Sequence, residues 1–413
     1  MPWKETCAVK QRLEFIREVL RGDMGKAELC RRYGISRPTG DKWLERFVEH
    51  GTDGLNDLPS RPRHHPNQVA DELVEMLLAL RREHMTWGPK KLRAYLERRH
   101  SAMKWPWPST IGELLRHQGL AVGRHWRHRT PPYTQPFAGC GHPNRTWCVD
   151  FKGQFHTGNG RVCYPLTITD AFSRYLLRCQ GMPRPCTTPT GAIMESAFRE
   201  YGLPVAIRSD NGSPFASSAI GGLSRLSMGW LKLGIVPERI KPGHPEQNGR
   251  HERMHLTLKQ ETASPPRPSL RSQQQRFDAF RQEYNEHRPH ESLEQRTPAD
   301  AYQGSPRPYP SRVPEPDYGE NAVVRSVRSS GEIKWQGQRM YLGEVLAGEN
   351  VGLEPIMEGG WLVYFYKMRL GVLDDRRRKV WTLEAAIRKG WLSADALPAP
   401  LRCAPGTGQS VDV

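Results

Sequence analysis

Three acidic residues set into the stretch between Trp147 and Lys259 constrain this chain more than any other feature of it. The first, Asp150, stands in Trp147-Cys148-Val149-Asp150-Phe151-Lys152-Gly153, an apolar run that reads as a buried strand. A carboxylate there is unfavourable unless something pairs with it, so the strand has to deliver that side chain to a compensating group. The second, Asp210, follows the short apolar segment Val205-Ala206-Ile207 and opens the turn Ser209-Asp210-Asn211-Gly212, which puts it at the end of a strand. The third acid lies in His244-Pro245-Glu246-Gln247-Asn248-Gly249-Arg250-His251-Glu252, after which Met254-His255-Leu256-Thr257-Leu258-Lys259 takes up helical spacing. Glu246 and Glu252 compete for this role.

Hard oxygen donors brought from separate elements suit Mg²⁺ or Mn²⁺, and such a set can hold two ions about 3.5–4 Å apart. Together the strand-Asp, Ser-Asp-Asn-Gly and His-Pro-x-x-Asn-Gly-x-x-Glu segments resemble the catalytic core shared by retroviral integrases and integrase-like insertion-sequence transposases. The resemblance implies a ribonuclease-H-like α/β core in which Asp150, Asp210 and one of the two glutamates are catalytic and hold the metal. Thirty-six positions separate Asp210 from Glu246, a gap similar to the family's thirty-five, whereas forty-two separate it from Glu252. Motif alignment nevertheless selects Glu252, because the family's acid follows the Asn-Gly pair by three residues. Physical reasoning agrees: a glutamate in the first turns of a helix sits on a rigid element near the positive end of the dipole, and one in a Pro-Glu-Gln loop does not. The longer gap then implies an insertion, which the glycine-rich Ile220-Gly221-Gly222-Leu223-Ser224 can absorb. Lys259 falls seven residues after Glu252, on nearly the same helical face, where the resemblance implies a contact with a phosphate of the DNA end.

The rest of the sequence is consistent with a DNA-acting protein of several domains. Its 413 residues allow two to four domains, and lysine plus arginine exceed aspartate plus glutamate by 17, with a pI near 9.7. Such an excess points to nucleic acid as partner. No apolar run reaches the eighteen or so residues of a membrane span and the N-terminus lacks a signal peptide's apolar region, so a cytoplasmic protein without membrane contact is expected. The eight cysteines form no Cys-x-x-Cys pair, which argues for reduced, mostly buried thiols and no structural zinc.

In residues 1–56, apolar residues at helical intervals from Leu13 to Leu20, the segment Ala27–Tyr33, the turn Gly34-Ile35-Ser36 and the segment Arg37–Glu49 resemble a helix-turn-helix. Arg37, Thr39 and Lys42 would then face the DNA major groove while Trp43, Leu44 and Phe47 pack inward. A basic proline-rich linker (57–68) leads to a second helical DNA-binding module (69–122), and a basic linker (123–144) leads to the core (145–303). Within the core, Val162–Thr169 and Ser173–Cys179 read as strands, Ala192–Tyr201 as a crossing helix, and Asp170 as a turn residue that supports the fold. Tyr284-Asn285-x-x-Arg288-Pro289-His290 and Thr297-Pro298-Ala299 again resemble the closing segments of transposase cores. A proline-rich linker (304–320) precedes an alternating apolar and polar region (321–375) that reads as a small β-barrel, followed by a tail (376–413) expected to end in little fixed structure.

The expected architecture is therefore multidomain: all-α helix-turn-helix modules, an α/β ribonuclease-H-like core and a small C-terminal β-barrel. The expected activity is transposition, with recognition of double-stranded element ends, metal-dependent phosphodiester hydrolysis and strand transfer into target DNA by a homo-oligomer. Two alternatives share these features: a sequence-specific DNA-binding regulator with an inactive core, and a ribonuclease-H-like nuclease that cuts without joining.

Overall fold

The computed structural model describes residues 7–57, 68–121, 139–240, 249–357 and 359–393, and the chain divides into two compact units, Met1–Ala70 and Asp71–Val413. The linker arginines around 124–129, Glu246 and Cys403 lie outside the described residues.

The first unit is the three-helix bundle expected from its apolar spacing: α1 (Ala8–Arg21), α2 (Lys26–Arg32) and α3 (Arg37–His50). Phe15, Ile16, Leu29, Cys30, Trp43 and Leu55 form its core, with Leu44 and Phe47 packed at the margin. The α2–α3 approach is close enough that a Cβ on Gly40 would lie 2.8 Å from Cys30 Sγ, so any larger residue there would push Cys30 aside. Ser36 caps α3 by accepting from the Thr39 N–H at 3.3 Å.

The second unit opens with α4 (Asp71–Glu83), α5 (Pro89–Arg99) and α6 (Pro108–His117), closed around the fully buried Trp87 together with Leu77, Leu92, Trp105 and Ile111. The α/β core follows, with β1 (Thr146–Phe151), β2 (Phe155–His156), β3 (Val162–Asp170), β4 (Leu176–Met182), α7 (Thr187–Tyr201), β5 (Ala206–Ser209), α8 (Arg225–Lys232), β6 (Val236–Arg239), α9 (Gly249–Thr262), α10 (Leu270–Glu286) and α11 (Pro298–Ala301). The sheet runs β2-β3-β1-β5-β6 with β4 on the other register of β3. As expected, β1, β3 and β4 are antiparallel neighbours, and the chain then crosses through α7 to bring β5 parallel to β1. Asp170 is the turn support foreseen: its carboxylate accepts from the backbone N–H of Asn144 and of Ser173 and from the Ser173 hydroxyl, each at 2.7 Å.

The closing motif of the core works through hydrogen bonds. Asn285 on α10 accepts from the Leu176 N–H at 2.8 Å and donates to its carbonyl at 3.0 Å, pinning the helix to β4. Arg288 is buried and paired with Glu261 of α9 at 2.6 Å. A line of polar contacts joins the α4–α6 module to this side of the core: His84 with Glu283 at 3.0 Å, Lys90 with Glu291 at 2.6 Å, and Arg98 with Asp300 at 2.6 Å.

The C-terminal part comprises β7 (Val323–Ser326), β8 (Glu332–Trp335), β9 (Gln338–Tyr341), β10 (Asn350–Met357), β11 (Gly360–Phe365), β12 (Met368–Asp374), β13 (Lys379–Thr382) and α12 (Leu383–Arg388). The expected alternation is present, but the described strands make an open five-stranded sheet, β13-β12-β11-β10-β7, and a β8–β9 hairpin rather than a closed ring. Order also extends beyond Asp375: β13 pairs with β12, and α12 buries Leu383 and Ala386. Ile333, Trp335, Val351, Leu353, Val363 and Phe365 of this part form one cluster with Leu223, Met228 and Leu231 of the core, while Leu362, Val372, Leu383 and Ala386 form a second.

Candidate active site

The parallel pairing of β1 with β5 does most of the construction. Thr146 is opposite Ala206 and Cys148 opposite Arg208, so continuing the register brings Asp150 and Asp210 out at the same end of adjacent strands. That end is where open α/β sheets gather functional groups, because the strands stop and their last side chains lose neighbours. Both aspartates are partly buried there. The Gly212 N–H donates to Asp210 Oδ1 at 3.2 Å, and the Asn211 amide donates to the Ile240 carbonyl at 2.7 Å, tying the turn to the strand β6 side.

Glu252 lies in the first turn of α9 with its side chain exposed. Its relation to the strand end is visible in the electrostatics of Asp150. Burial lifts the Asp150 carboxyl first, the Asp210 charge lifts it further and Glu252 adds to the same effect, while the Phe151 N–H and Lys152 oppose them; the result is about 7. Burial also raises Asp210, partly offset by the Gly212 hydrogen bond. Asp150 and Asp210 thus share one partly buried edge, and among the described residues the ligand atoms of Asp150, His251 and His255 lie within 4.8 Å of one another, a spacing compatible with a bound cation.

Below the acids lies a set of residues that sequence reasoning missed. On α9, His251 and His255 turn inward with Met254 and Leu258, while Glu252 and Lys259 stay on the exposed side. Thr167 of β3, the register partner of Asp150, carries a hydroxyl 2.7 Å from both His251 Nε2 and His255 Nε2. The Thr169 hydroxyl is 2.8 Å from His251 Nδ1. His255 Nδ1 lies 3.8 Å from Asp150 Oδ2. Burial holds both imidazoles well below their usual range, His251 at about 3, so the approach of His255 to Asp150 is not an ion pair. The available signal was positional: residues four apart share a helix face, so two histidines in register with Met254 and Leu258 had to point into the core.

In the first unit, Arg37 and Lys42 are exposed at the N-terminal half of α3, and the half-buried Thr39 hydroxyl is 2.8 Å from Ser36 Oγ. Trp43 underlies them, with the Arg12 guanidinium 3.8 Å and the Lys42 ammonium 5.1 Å from its ring centre.

Comparison with known proteins matches these parts in turn. Residues 11–63 match a helix-turn-helix domain and 39–115 a homeodomain-like domain. Residues 141–245 and 233–298 match two models of the integrase core domain, and 322–381 match the C-terminal domain of IS481 family transposases. The chain is 29% identical over 245 residues to the insertion element IS407 uncharacterized 31.7 kDa protein of Burkholderia multivorans, covering 58% of this chain and 83% of that protein. It is 25% identical over 303 residues to the insertion element IS476 uncharacterized 39.2 kDa protein of Xanthomonas euvesicatoria, covering 71% and 78%. Among solved structures, the HTLV-2 integrase catalytic core domain in complex with magnesium aligns at 16% identity and a TM-score of 0.32, over 40% of this chain and 99% of that one.

Proposed function

We propose that this chain, an insertion-sequence DNA transposase with an integrase-type (DDE) core and an N-terminal helix-turn-helix, performs its phosphodiester chemistry at the edge formed by Asp150, Asp210 and Glu252. The observation that carries this reading is the parallel register of β1 and β5, which brings Asp150 and Asp210 out at the same end of adjacent strands. An acid held near neutrality by burial and by two like charges belongs to a site completed by cations. Asp150 and Asp210 would hold two Mg²⁺ or Mn²⁺ ions, with Glu252 completing the set from a helix whose opposite face is buried. When bound, such ions supply Lewis-acid activation of the attacking oxygen and charge stabilisation for the departing one.

The chain's own residues then orient DNA. Lys259, exposed on nearly the same face of α9 as Glu252, meets a backbone phosphate of the element end. Arg37, Thr39 and Lys42 read that end in the major groove, the α4–α6 module lengthens the footprint, and the C-terminal sheet and hairpin add a further DNA-facing surface. In the first step, water adds to a phosphorus at the element end and the P–O3′ bond breaks, freeing a 3′-hydroxyl. In the second, that hydroxyl attacks a target phosphorus in line, a new P–O bond forms, and the target's own 3′-oxygen leaves as a hydroxyl. Handling two ends together calls for a homo-oligomer.

The test uses the purified full chain, labelled end DNA and Mg²⁺. Asp150→Ala, Asp210→Ala and Glu252→Ala are each expected to abolish cleavage and joining while end binding persists. Full activity in Glu252→Ala together with loss in Glu246→Ala would move the third carboxylate and overturn this assignment.

A further inference from the structure

The hydrogen bonds beneath Asp150 have a direction that can be worked out from valence alone. Thr167 Oγ1 has one proton, yet it lies 2.7 Å from two imidazole nitrogens, His251 Nε2 and His255 Nε2, and 3.2 Å from the Asp150 carbonyl oxygen. The proton is best used on a 2.7 Å contact, so one histidine receives it and the other donates its own. If Thr167 donates to His251, then His255 donates through Nε2, and its Nδ1 turns a lone pair toward the carboxylate of Asp150. A lone pair facing an ionised carboxylate is repulsive in a buried setting; an N–H is attractive at the same 3.8 Å. The opposite sense gives each of the short contacts one donor and one acceptor and turns an N–H, at 3.8 Å and so beyond hydrogen-bond length, toward the carboxylate. Thr169 donates to His251 Nδ1, His251 Nε2–H donates to Thr167, Thr167 donates to His255 Nε2, and His255 Nδ1–H faces Asp150 Oδ2.

We propose that Thr169, His251, Thr167 and His255 form a one-way hydrogen-bond relay that orients the Asp150 carboxylate for cation binding and ties the start of α9, with Glu252, to strand β3. These are positioning residues, and the proposal rests on the reading of Asp150 as a cation ligand. All four are buried, at 6% relative exposure or less, so water does not compete for their bonds. The relay starts on the strand that pairs with β1 and ends on the strand-end acid, passing twice through the helix that carries the third acid. Shifting that helix therefore disturbs Asp150 and Glu252 together. Outer residues that orient metal-holding side chains typically change metal affinity by about 10–100-fold when removed.

Two measurements on the full chain test this. In metal-free, ¹⁵N-histidine-labelled protein at pH 8, long-range ¹H–¹⁵N spectra should show His255 as the Nδ1–H tautomer and His251 as the Nε2–H tautomer, with assignments from His255→Asn and His251→Asn. His255 found protonated on Nε2 alone overturns the relay, whatever the site does. Calorimetric titration with Mn²⁺, without DNA, should show Thr167→Val, which removes the hydroxyl at nearly constant shape, binding about tenfold or more weakly. Thr167→Ser, which keeps the hydroxyl, should stay within about threefold of the parent protein. Parent-like binding by the valine variant, or equal loss in both, overturns the proposal. Asp150→Asn is the control for the underlying reading: if it leaves Mn²⁺ affinity unchanged, the site assignment has failed, and the tautomers still report on the relay separately.

Discussion

Asp150 shows how one residue can serve function at the expense of stability. Its carboxyl in the folded protein is raised from 3.8 to about 7, so the fold binds that proton more tightly than the unfolded chain does. Stability from this group is therefore fully present below pH 4 and is lost as pH rises toward and through 7. In metal-free protein, Asp150→Asn should raise the unfolding free energy at pH 8 by on the order of 1–3 kcal/mol, seen as a higher melting temperature, and the difference should vanish near pH 4. Calorimetry in EDTA across this range checks it; a lower melting temperature for the variant at pH 8 would contradict the electrostatic account. Divalent cation should reverse the ranking by stabilising the parent alone. The acids were legible in the sequence because each stood in a recognisable local setting: an apolar run, a Ser-Asp-Asn-Gly turn, a helix start. His251 and His255 were less so. Their partners, Thr167 and Thr169, lie more than eighty positions away on a strand whose alternation says only which face they occupy, and not that two hydroxyls will meet two imidazoles.

Elements were read well where periodicity and punctuation agreed. The three N-terminal helices and the β1–β3–β4 run all fall close to their expected spans. The short β6 escaped because Val236-Pro237-Glu238-Arg239 carries a proline and too few apolar residues to signal a strand; it exists because β5 offers it a parallel edge. The C-terminal alternation correctly gave strands and not their arrangement, since closure depends on pairing between residues far apart in the chain. Asn285 offers a test at this level. Asn285→Ala removes both bonds to the Leu176 backbone in a buried place, and should destabilise the protein by roughly 1–3 kcal/mol in urea unfolding. Ser36→Ala should cost about 1 kcal/mol, confined to the first unit, through loss of the α3 cap. An unchanged urea midpoint in Asn285→Ala would mean that α10 is held to β4 by packing alone.

At the scale of the whole molecule, charge is the dominant property. An excess of 17 positive charges makes DNA binding salt-dependent, and residues that touch phosphate should each account for about one unit of the log affinity against log salt slope. Lys259→Ala is expected to reduce that slope by roughly 1; an unchanged slope would remove the residue from the phosphate contacts. The Gly-rich Ile220–Gly222 segment, foreseen as slack in the Asp210-to-Glu252 interval, turns out to be occupied. The Arg239 side chain fills the space that a Gly222 Cβ would need, and the segment lies against Leu370 and Met368 of β12. Leu223, Met228 and Leu231 continue this contact into the C-terminal strands. A catalytic fragment cut off near residue 303 would thus carry an oily socket with its plug removed, and anyone preparing such a piece should expect clumping unless those three side chains are first made polar.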